Sequence, residues 1–428
     1  MGGARSIATE ATIEAAYALA VERYAEVGVD VAQALAAVAA VPVSVHCWQG
    51  DDVIGFERAA TALGGGLAAT GNHPGKARTP DELRADADKA FCLIPGRHRF
   101  NLHAFYGEFS NSPVDRDEIG AENFRGWIDW ARERGIGLDF NPTYFSHVKA
   151  ADNLTLSHPD PGIRRFWIDH GIACRHIAAS FGKALGTPAI VNHWVPDGMK
   201  DTPIDRVSPR ERLVESLDAI TRHAIDPALA RDAVEGKLFG LGLESFTVGS
   251  HELYFGYALS RRLLYTLDLG HYHPTESVTD KLSAVLMYLP EVLLHVSRGV
   301  RWDSDHVVTW NDDVTALAQE LVRGNFLSRA HLGLDYFDAS INRVAAWVIG
   351  CRNLIKALLA AMLEPVTLLQ AAEQAGDFTG RLALLEDSKT LPFGAVWDYY
   401  CASSRVPPRE AWLDEVRRYE RDVLMARG

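Results

Sequence analysis

Cysteine is scarce in this chain of 428 residues, which has only Cys47, Cys92, Cys174, Cys351 and Cys401. The number is odd, and no pair has CxxC or CxxxC spacing. This argues against a disulfide framework or a thiolate zinc site and fits a reducing cytoplasm. Positive charge is also short, with 43 Lys and Arg against 56 Asp and Glu and a net charge of −13. Such a surface repels polyanions, so neither nucleic acid nor an anionic membrane is expected as a partner. No GxGxxG or GxxxxGK[ST] motif is present to seat a nucleotide after a first strand, and "GGG" at 64–66 signals only a flexible loop. Near the N-terminus an unbroken apolar run of membrane length is missing too. The opening "MGGARSIATEATIEAAYALAVERY" carries Glu10, Glu14 and Glu22 where a signal peptide would need an unbroken apolar core. The stretch "VAQALAAVAAVPVSV" is too short to span a membrane and contains Gln33 and Pro42. Internal repeats and low-complexity tracts are absent.

What the chain does have is a globular profile, 47% hydrophobic and 23% charged. Ile13, Ala16, Leu19, Ala20 and Tyr24 have helical spacing, and a second helix is predicted after Asp30. Short apolar runs then recur: 41–48, 98–105, 135–142, 188–194, 235–242, 265–270, 291–299 and 331–337. Amphipathic helical patterns such as 123–135 and 164–186 separate them. Eight strands alternating with helices predict an α/β fold, a (β/α)8 TIM barrel with N-terminal helices. From about residue 341 the pattern is wholly helical. This divides the chain into residues 1–340, the barrel with its N-terminal helices and active site, and residues 341–428, a helical extension whose apolar richness suggests packing against the barrel or subunit contacts. Segment 66–85, rich in Gly, Pro and charge, is expected to be a long loop over the barrel mouth and a candidate lid.

The ionisable residues gather where the strands end, and on a barrel those ends converge on one mouth. Asp268, His271 and His273 follow the sixth run. His295 lies in the seventh, Asp303 and Asp305 come shortly after it, and Asp335 lies in the eighth. Glu235 and Lys237, two apart, are expected to share a strand face. Oxygen and imidazole donors without thiolates suit Mn²⁺, Mg²⁺, Co²⁺ or Zn²⁺. Carboxylates crowded at one mouth repel each other, and a cation would let them all ionise. Each element has an ordinary reading as well. DxD is common on surfaces, a lone buried histidine is usually a hydrogen-bonded core residue, and HxHP can be a solvated turn. It is the recurrence at successive strand ends that favours a site. His103, Asn141, Asn192, His193, Trp194, Trp48, Asp51 and Asp52 also fall at strand ends. There, aromatic faces and hydrogen-bonding groups together resemble a sugar-binding wall, although core packing explains the tryptophans equally well.

The stretches "VSVHCWQGDDVIGFE", "ATGNHPGKAR", "GLDFNPTYFSH", "WVPDGMKD", "VEGKLFGLGLES", "LDLGHYHPTE", "LLHVSRGVRWDSDHVV" and "LGLDYFDASINRVAAWVIG" resemble the L-rhamnose isomerases, aldose–ketose isomerases of the xylose-isomerase-like barrels. The resemblance runs over nearly the whole chain. It implies two divalent metals per subunit, with Mn²⁺ first and Mg²⁺, Co²⁺ or Zn²⁺ as alternatives. The first would be held by Glu235, Asp268, His295 and Asp335, and the second by His271, Asp303 and Asp305. It selects His271 over His273, a choice the spacing leaves open. Arg298, Arg301 and His306 become supporting groups. The implied reaction converts L-rhamnose to L-rhamnulose, and related aldoses likewise, by a metal-assisted 1,2-hydride shift. Lys237, Asp303 and His271 would be catalytic, and His103, Trp194 and Asp335 would contact the sugar. No organic cofactor is required. The resemblance also implies a homotetramer, and the cysteine usage a cytoplasmic one. Two other readings compete with this one. A metal-dependent barrel hydrolase of the amidohydrolase type usually carries HxH on its first strand, whereas here that strand offers only His46 before Cys47. The other is a non-catalytic sugar-binding or structural metalloprotein, of which a periplasmic sugar binder would need an export signal.

Overall fold

The computed structural model describes residues 9–57, 70–109, 114–240, 245–301 and 303–427, with Thr70, Asp303, Ser304 and Asp305 as backbone only. Eight parallel strands form a closed barrel. They are β1 (Pro42–His46), β2 (Arg97–His103), β3 (Gly137–Asn141), β4 (Ala189–Trp194), β5 (Ala230–Glu235), β6 (Leu264–Asp268), β7 (Val292–Val296) and β8 (Ala330–Leu334). Each pairs with its neighbour in chain order, and β8 closes on β1. The fold is therefore the (β/α)8 barrel that the alternating pattern predicts.

One strand differs from its predicted place. The fifth is Ala230–Glu235 and not the 235–242 run. The sequence "ARDAVE" looks too charged for a buried strand, but its charges have partners. Asp232 accepts from Arg175 Nε at 2.8 Å and faces His193 Nε2 at 3.1 Å. Arg231 pairs with Glu291. Glu235 is consequently the last strand residue, and Lys237 lies in the following loop rather than on the same strand face.

The helices are cut by local signals. Helices α1 (Glu10–Ala25) and α2 (Val31–Ala40) precede the barrel. In α1, Ile13, Ala20 and Tyr24 are buried, whereas Leu19 of the predicted stripe is exposed. Helix α3 (Pro80–Phe91) starts at Thr79, whose hydroxyl accepts from Glu82 N. The predicted loop over 66–85 is thus already helical from Pro80. Residues 66–69 lie outside the described part, and Gly71 pairs with Ala339. Gly71 has φ +115°, and a Cβ there would lie 2.4 Å from the Ala339 carbonyl, so only glycine fits this approach. Barrel helices α4 (Arg125–Arg134), α5 (Pro161–Leu185), α6 (Val207–Thr221), α7 (His251–Arg261), α8 (Thr279–Leu286) and α9 (Asp312–Arg323) follow. Helix α5 is bounded by Asp160, which accepts from Gly162 N and Ile163 N, and by left-handed Gly186.

After β8 come α10 (Arg343–Met362), α11 (Val366–Gln374), α12 (Phe378–Ser388), α13 (Phe393–Ser403) and α14 (Ala411–Asp422). Helix α10 is long and apolar enough to cross a membrane, but 78% of that window is buried inside the fold. It packs on α9, α2, α3 and β1. The main apolar core lies between barrel and helices, around the fully buried Trp127, Trp167, Trp347, Phe100, Phe124 and Phe140. Burying each such ring contributes roughly 1.5–3 kcal/mol.

The inside of the barrel is less apolar than the usual Val/Ile/Leu layers. Ile190, Ala233, Leu264 and Leu293 form a small inner cluster. On the other side, Ser44 Oγ donates to Asp139 Oδ2 at 2.6 Å, and Arg99 grips the same carboxylate through Nε at 2.9 Å and NH2 at 2.8 Å.

Candidate metal centre and active site

Period-2 alternation and parallel register bring the strand-end groups to one level. Trp194 is opposite Glu235, Asp268 opposite His295, and His295 opposite Gly333. Asp335 follows β8 directly, with its N–H donating to the Val296 carbonyl at 3.1 Å. Glu235, Asp268, His295 and Asp335 each offer a donor atom, and these atoms lie within 4.8 Å of one another. His295 Nδ1 is 3.3 Å from Asp335 Oδ2, 3.4 Å from Glu235 Oε1 and 3.8 Å from Asp268 Oδ2. His271 joins from the loop after β6. Its Nδ1 is 3.0 Å from Glu235 Oε1, and its Nε2 is 3.7 Å from Asp268 Oδ2.

These contacts are close but poorly aligned. Glu235 Oε1, His271 Nδ1 and both nitrogens of His295 are buried without a hydrogen-bond partner. Buried polar atoms are seldom left so. Converging lone pairs from three carboxylates and an imidazole are the donor set of a divalent cation, so the residues present fit a metal.

Electrostatics agrees. Burial pushes the Asp268 carboxyl up to about 7, opposed by His271 and reinforced by the charges of Asp335 and Glu235. Burial also works against charge on Glu235 and Asp335, but adjacent His295 holds both below the usual carboxylate range. For His295 itself, burial is outweighed by Glu235 and Asp335, which hold it well above an ordinary histidine. A cation would take over the compensating charge that protons supply here.

The surroundings aim each donor. Asn192 Nδ2 donates to Glu235 Oε2 at 2.5 Å, and Thr266 Oγ1 donates to Asn192 Oδ1 at 2.8 Å. Asp268 Oδ1 accepts from Gly270 N at 2.6 Å and Ser297 Oγ at 3.1 Å. Trp48 Nε1 donates to Asp335 Oδ1 at 3.1 Å, so this tryptophan orients a carboxylate as well as presenting a face. The His271 carbonyl accepts from Leu238 N at 3.1 Å and from His251 Nε2 at 2.9 Å. This ties the loops after β5 and β6 together. Lys237 stands beside His271, with its Nζ 5.5 Å from the Trp194 ring centroid and 4.9 Å from that of Phe239.

Aromatic rings run around the mouth. Centroid separations are 4.9 Å for Trp48–His103, 5.5 Å for His103–Phe145, 5.7 Å for Phe145–Trp194 and 6.4 Å for Trp194–His271. His103 shares a hydrogen bond with Thr143 Oγ1 at 3.1 Å, and burial pushes its pKa down to about 3, leaving a neutral imidazole.

Other residues that the sequence pattern singles out lie elsewhere. His273 is exposed and bonds to Thr275 in its own turn. His193 points outward to Asp232. Asn141 bonds to Asn101, Asp51 accepts from Tyr106, and Asp52 pairs with Arg343. Arg298 donates to the Val307 carbonyl. Asp303 and Asp305 lie on a ribbon, 303–306, that pairs antiparallel with Arg298–Val300 beyond β7, and their side chains are outside the described residues. His46 also lies against the candidate site, where the sequence pattern did not single it out. It is fully buried, edge-on to Tyr336 at 4.4 Å, and close enough to Asp335 and His295 to feel their charges. The alternation Ser44, His46, Trp48 along and beyond β1 is the signal that could have placed it.

Comparison with known proteins identifies the family. The family model described as L-rhamnose isomerase (RhaA) matches residues 11–427. The chain belongs to the L-rhamnose isomerase family. The L-rhamnose isomerase of Rhodopirellula baltica is 62% identical over 416 residues, covering 97% of each chain. The L-rhamnose isomerase of Salmonella paratyphi B is 57% identical over 416 residues, covering 97% of this chain and 99% of its own. Among solved structures, that of an L-ribulose 3-epimerase matches with a TM-score of 0.48 at 12% identity, over 78% of this chain and 97% of that one. Membership of the L-rhamnose isomerase family makes this chain an isomerase, and the buried Glu235, Asp268, His295 and Asp335 cluster at the strand ends could hold a metal ion.

Proposed function

We propose that the protein converts L-rhamnose to L-rhamnulose, and related aldoses to their ketoses, by a 1,2-hydride shift at this barrel mouth. The observation that carries the reading is the convergence of Glu235, Asp268, His295 and Asp335 within 4.8 Å in a chain 62% identical to a named L-rhamnose isomerase. Glu235, Asp268, His295 and Asp335 would hold one divalent ion, and His271, Asp303 and Asp305 a second, with Mn²⁺ the first choice. When bound, these ions supply fixed positive charge that polarises the oxygens of the open-chain sugar.

The chain's own residues do the rest. The rings of Trp48, His103, Phe145 and Trp194 exclude water and offer flat faces to C–H groups. Neutral His103 is suited to a sugar hydroxyl, and Asp335, with 21% of its side chain exposed, can reach both cation and sugar. Lys237 donates to the carbonyl oxygen at C1 and stabilises negative charge growing there. Hydrogen leaves C2 with its electron pair and arrives at C1, while the O2 proton passes to O1, so aldose and ketose balance without any external oxidant or reductant. The helices after residue 341 are read as the surface for subunit contacts in a homotetramer, and the cytoplasm as its compartment.

L-Rhamnose deuterated at C2 tests the reaction and its mode together. The label should appear at C1 of the ketose, whereas loss of deuterium to water would contradict a direct shift. A parallel panel of other aldoses, esters and amides addresses the hydrolase alternative, which ester or amide cleavage without ketose formation would favour. Lys237→Met should lower kcat on L-rhamnose by about 100-fold or more, with the fold intact by circular dichroism.

A further inference from the structure

The inner wall of the barrel around His295 mixes polar side chains with apolar ones such as Ile190, Leu293 and Leu332, and it encloses space. A cavity of about 40 Å³ lies there, bordered on its polar side by Ser44, Asn101, Asp139 and Asn192 and reached by His295. His295 is only 2% exposed. Its Nδ1 faces the three carboxylates, and its Nε2 has no hydrogen-bond partner among the described residues. Gly333 stands opposite His295 in the β7–β8 register. A Cβ at Gly333 would lie 3.3 Å from His295 Cδ2 and 3.7 Å from Nε2, so glycine keeps the floor beneath the ring open.

We infer that this cavity is a built site for buried water, and that a water in it accepts the Nε2 proton of His295 and so holds the ring with Nδ1 towards the cation. The inference rests on the reading of His295 as a metal ligand. A neutral histidine that binds through Nδ1 carries its proton on Nε2, and the partner of that proton fixes both tautomer and ring orientation. A buried donor left unbonded is costly, and no side chain among the described residues takes this one. The cavity has room for roughly three waters at about 10–15 Å³ each. The walls supply the further partners such waters need. The Ser44 hydroxyl and the Asp139 carboxylate are already locked to each other at 2.6 Å and anchored by Arg99, while the Asn192 amide links to Glu235. The ion pair near the barrel floor would thereby support the cation site at its mouth through solvent rather than through a side chain. Gly333, Ser44 and the Arg99–Asp139 pair are positioning residues in this account, since none touches substrate.

Two measurements on the full-length protein decide the matter. In a high-resolution crystal structure of the Mn²⁺-loaded protein, ordered water should sit within hydrogen-bond distance of His295 Nε2 and of Ser44, Asn101 or Asp139. A dry cavity, or Nε2 bonded to a side chain, would overturn the inference. In calorimetric titration with Mn²⁺, Gly333→Ala should weaken binding about 10-fold or more by crowding the ring and its water. Affinity equal to wild type would show that the space below His295 does not govern its aim. Should Gly333→Ala fail to fold, Ser44→Val intrudes on the same cavity from β1 and is read in the same way. Failure of the underlying metal reading is a separate result, because wild-type protein would then bind no Mn²⁺ at all.

Discussion

At the scale of single residues, the site is an acid–imidazole cluster whose protons would compete with a cation. Burial pushes Asp268 up to about 7 in the metal-free protein, and Glu235 and Asp335 hold His295 well above an ordinary histidine. Near neutral pH His295 therefore carries a proton and Asp268 is partly protonated, and an incoming cation must displace these protons. The sign follows: Mn²⁺ affinity rises with pH through this window and falls as pH drops, by about tenfold per pH unit for each proton released. Calorimetry in buffers of different ionisation heat, half a unit either side of pH 7, should report net proton release. A pH-independent affinity without release would contradict the picture. For Asp268 alone, folding raises the pKa, so the metal-free chain loses stability as pH rises from about 4 towards 7, and metal binding removes that loss. Much of this cluster was legible from residue types at strand ends. Spacing could not choose between His271 and His273, because a turn decides which ring faces inward. It also could not show that Trp48 holds Asp335 or that Asn192 holds Glu235, since those pairs are 287 and 43 residues apart.

At the scale of elements, the helices hold the strands at positions set by close backbone approach. Gly182 in α5 is the sharpest case, where an added Cβ would lie 1.9 Å from the Leu229 carbonyl oxygen. Helix propensity alone favours alanine there by about 1 kcal/mol. The obstacle is backbone, and that same carbonyl accepts from Ala189 N at 3.0 Å at the start of β4. Overpacking should therefore win, and Gly182→Ala should lower unfolding free energy by about 1–3 kcal/mol in urea denaturation. A midpoint at or above wild type would refute this. The chain's end is held by a different device. Arg427 donates to both oxygens of Asp86, at 2.6 and 2.8 Å, with 5% and 1% of the two side chains exposed. Arg427→Met would leave the buried Asp86 carboxylate without its cation, with only the Tyr419 hydroxyl, among the described residues, donating to it at 2.6 Å, and should cost about 3–5 kcal/mol by the same assay; a loss below about 1 kcal/mol would contradict that account. Apolar runs bounded by turns marked seven strands near their true places. The fifth was displaced because Arg231 and Asp232 hide their charges in pairs with Glu291 and Arg175, and no local pattern reveals partners 60 or 57 residues away.

At the scale of the whole molecule, chain order and strand order coincide around the barrel, so residues from Glu235 to Asp335 meet at one rim. Helix α10, with the length of a membrane span, is a core helix buried against α9, α2 and α3. Composition could not distinguish those two fates, since both demand the same apolar surface. The account's central claim is that divalent cations at this rim carry the isomerisation. The most direct measurement strips metal from the protein by exhaustive chelation, then returns Mn²⁺ stepwise while following bound metal and L-rhamnulose formed from L-rhamnose. Turnover should fall to about a hundredth or less without metal and recover as the sites fill. Undiminished turnover by protein shown to be metal-free would contradict the claim.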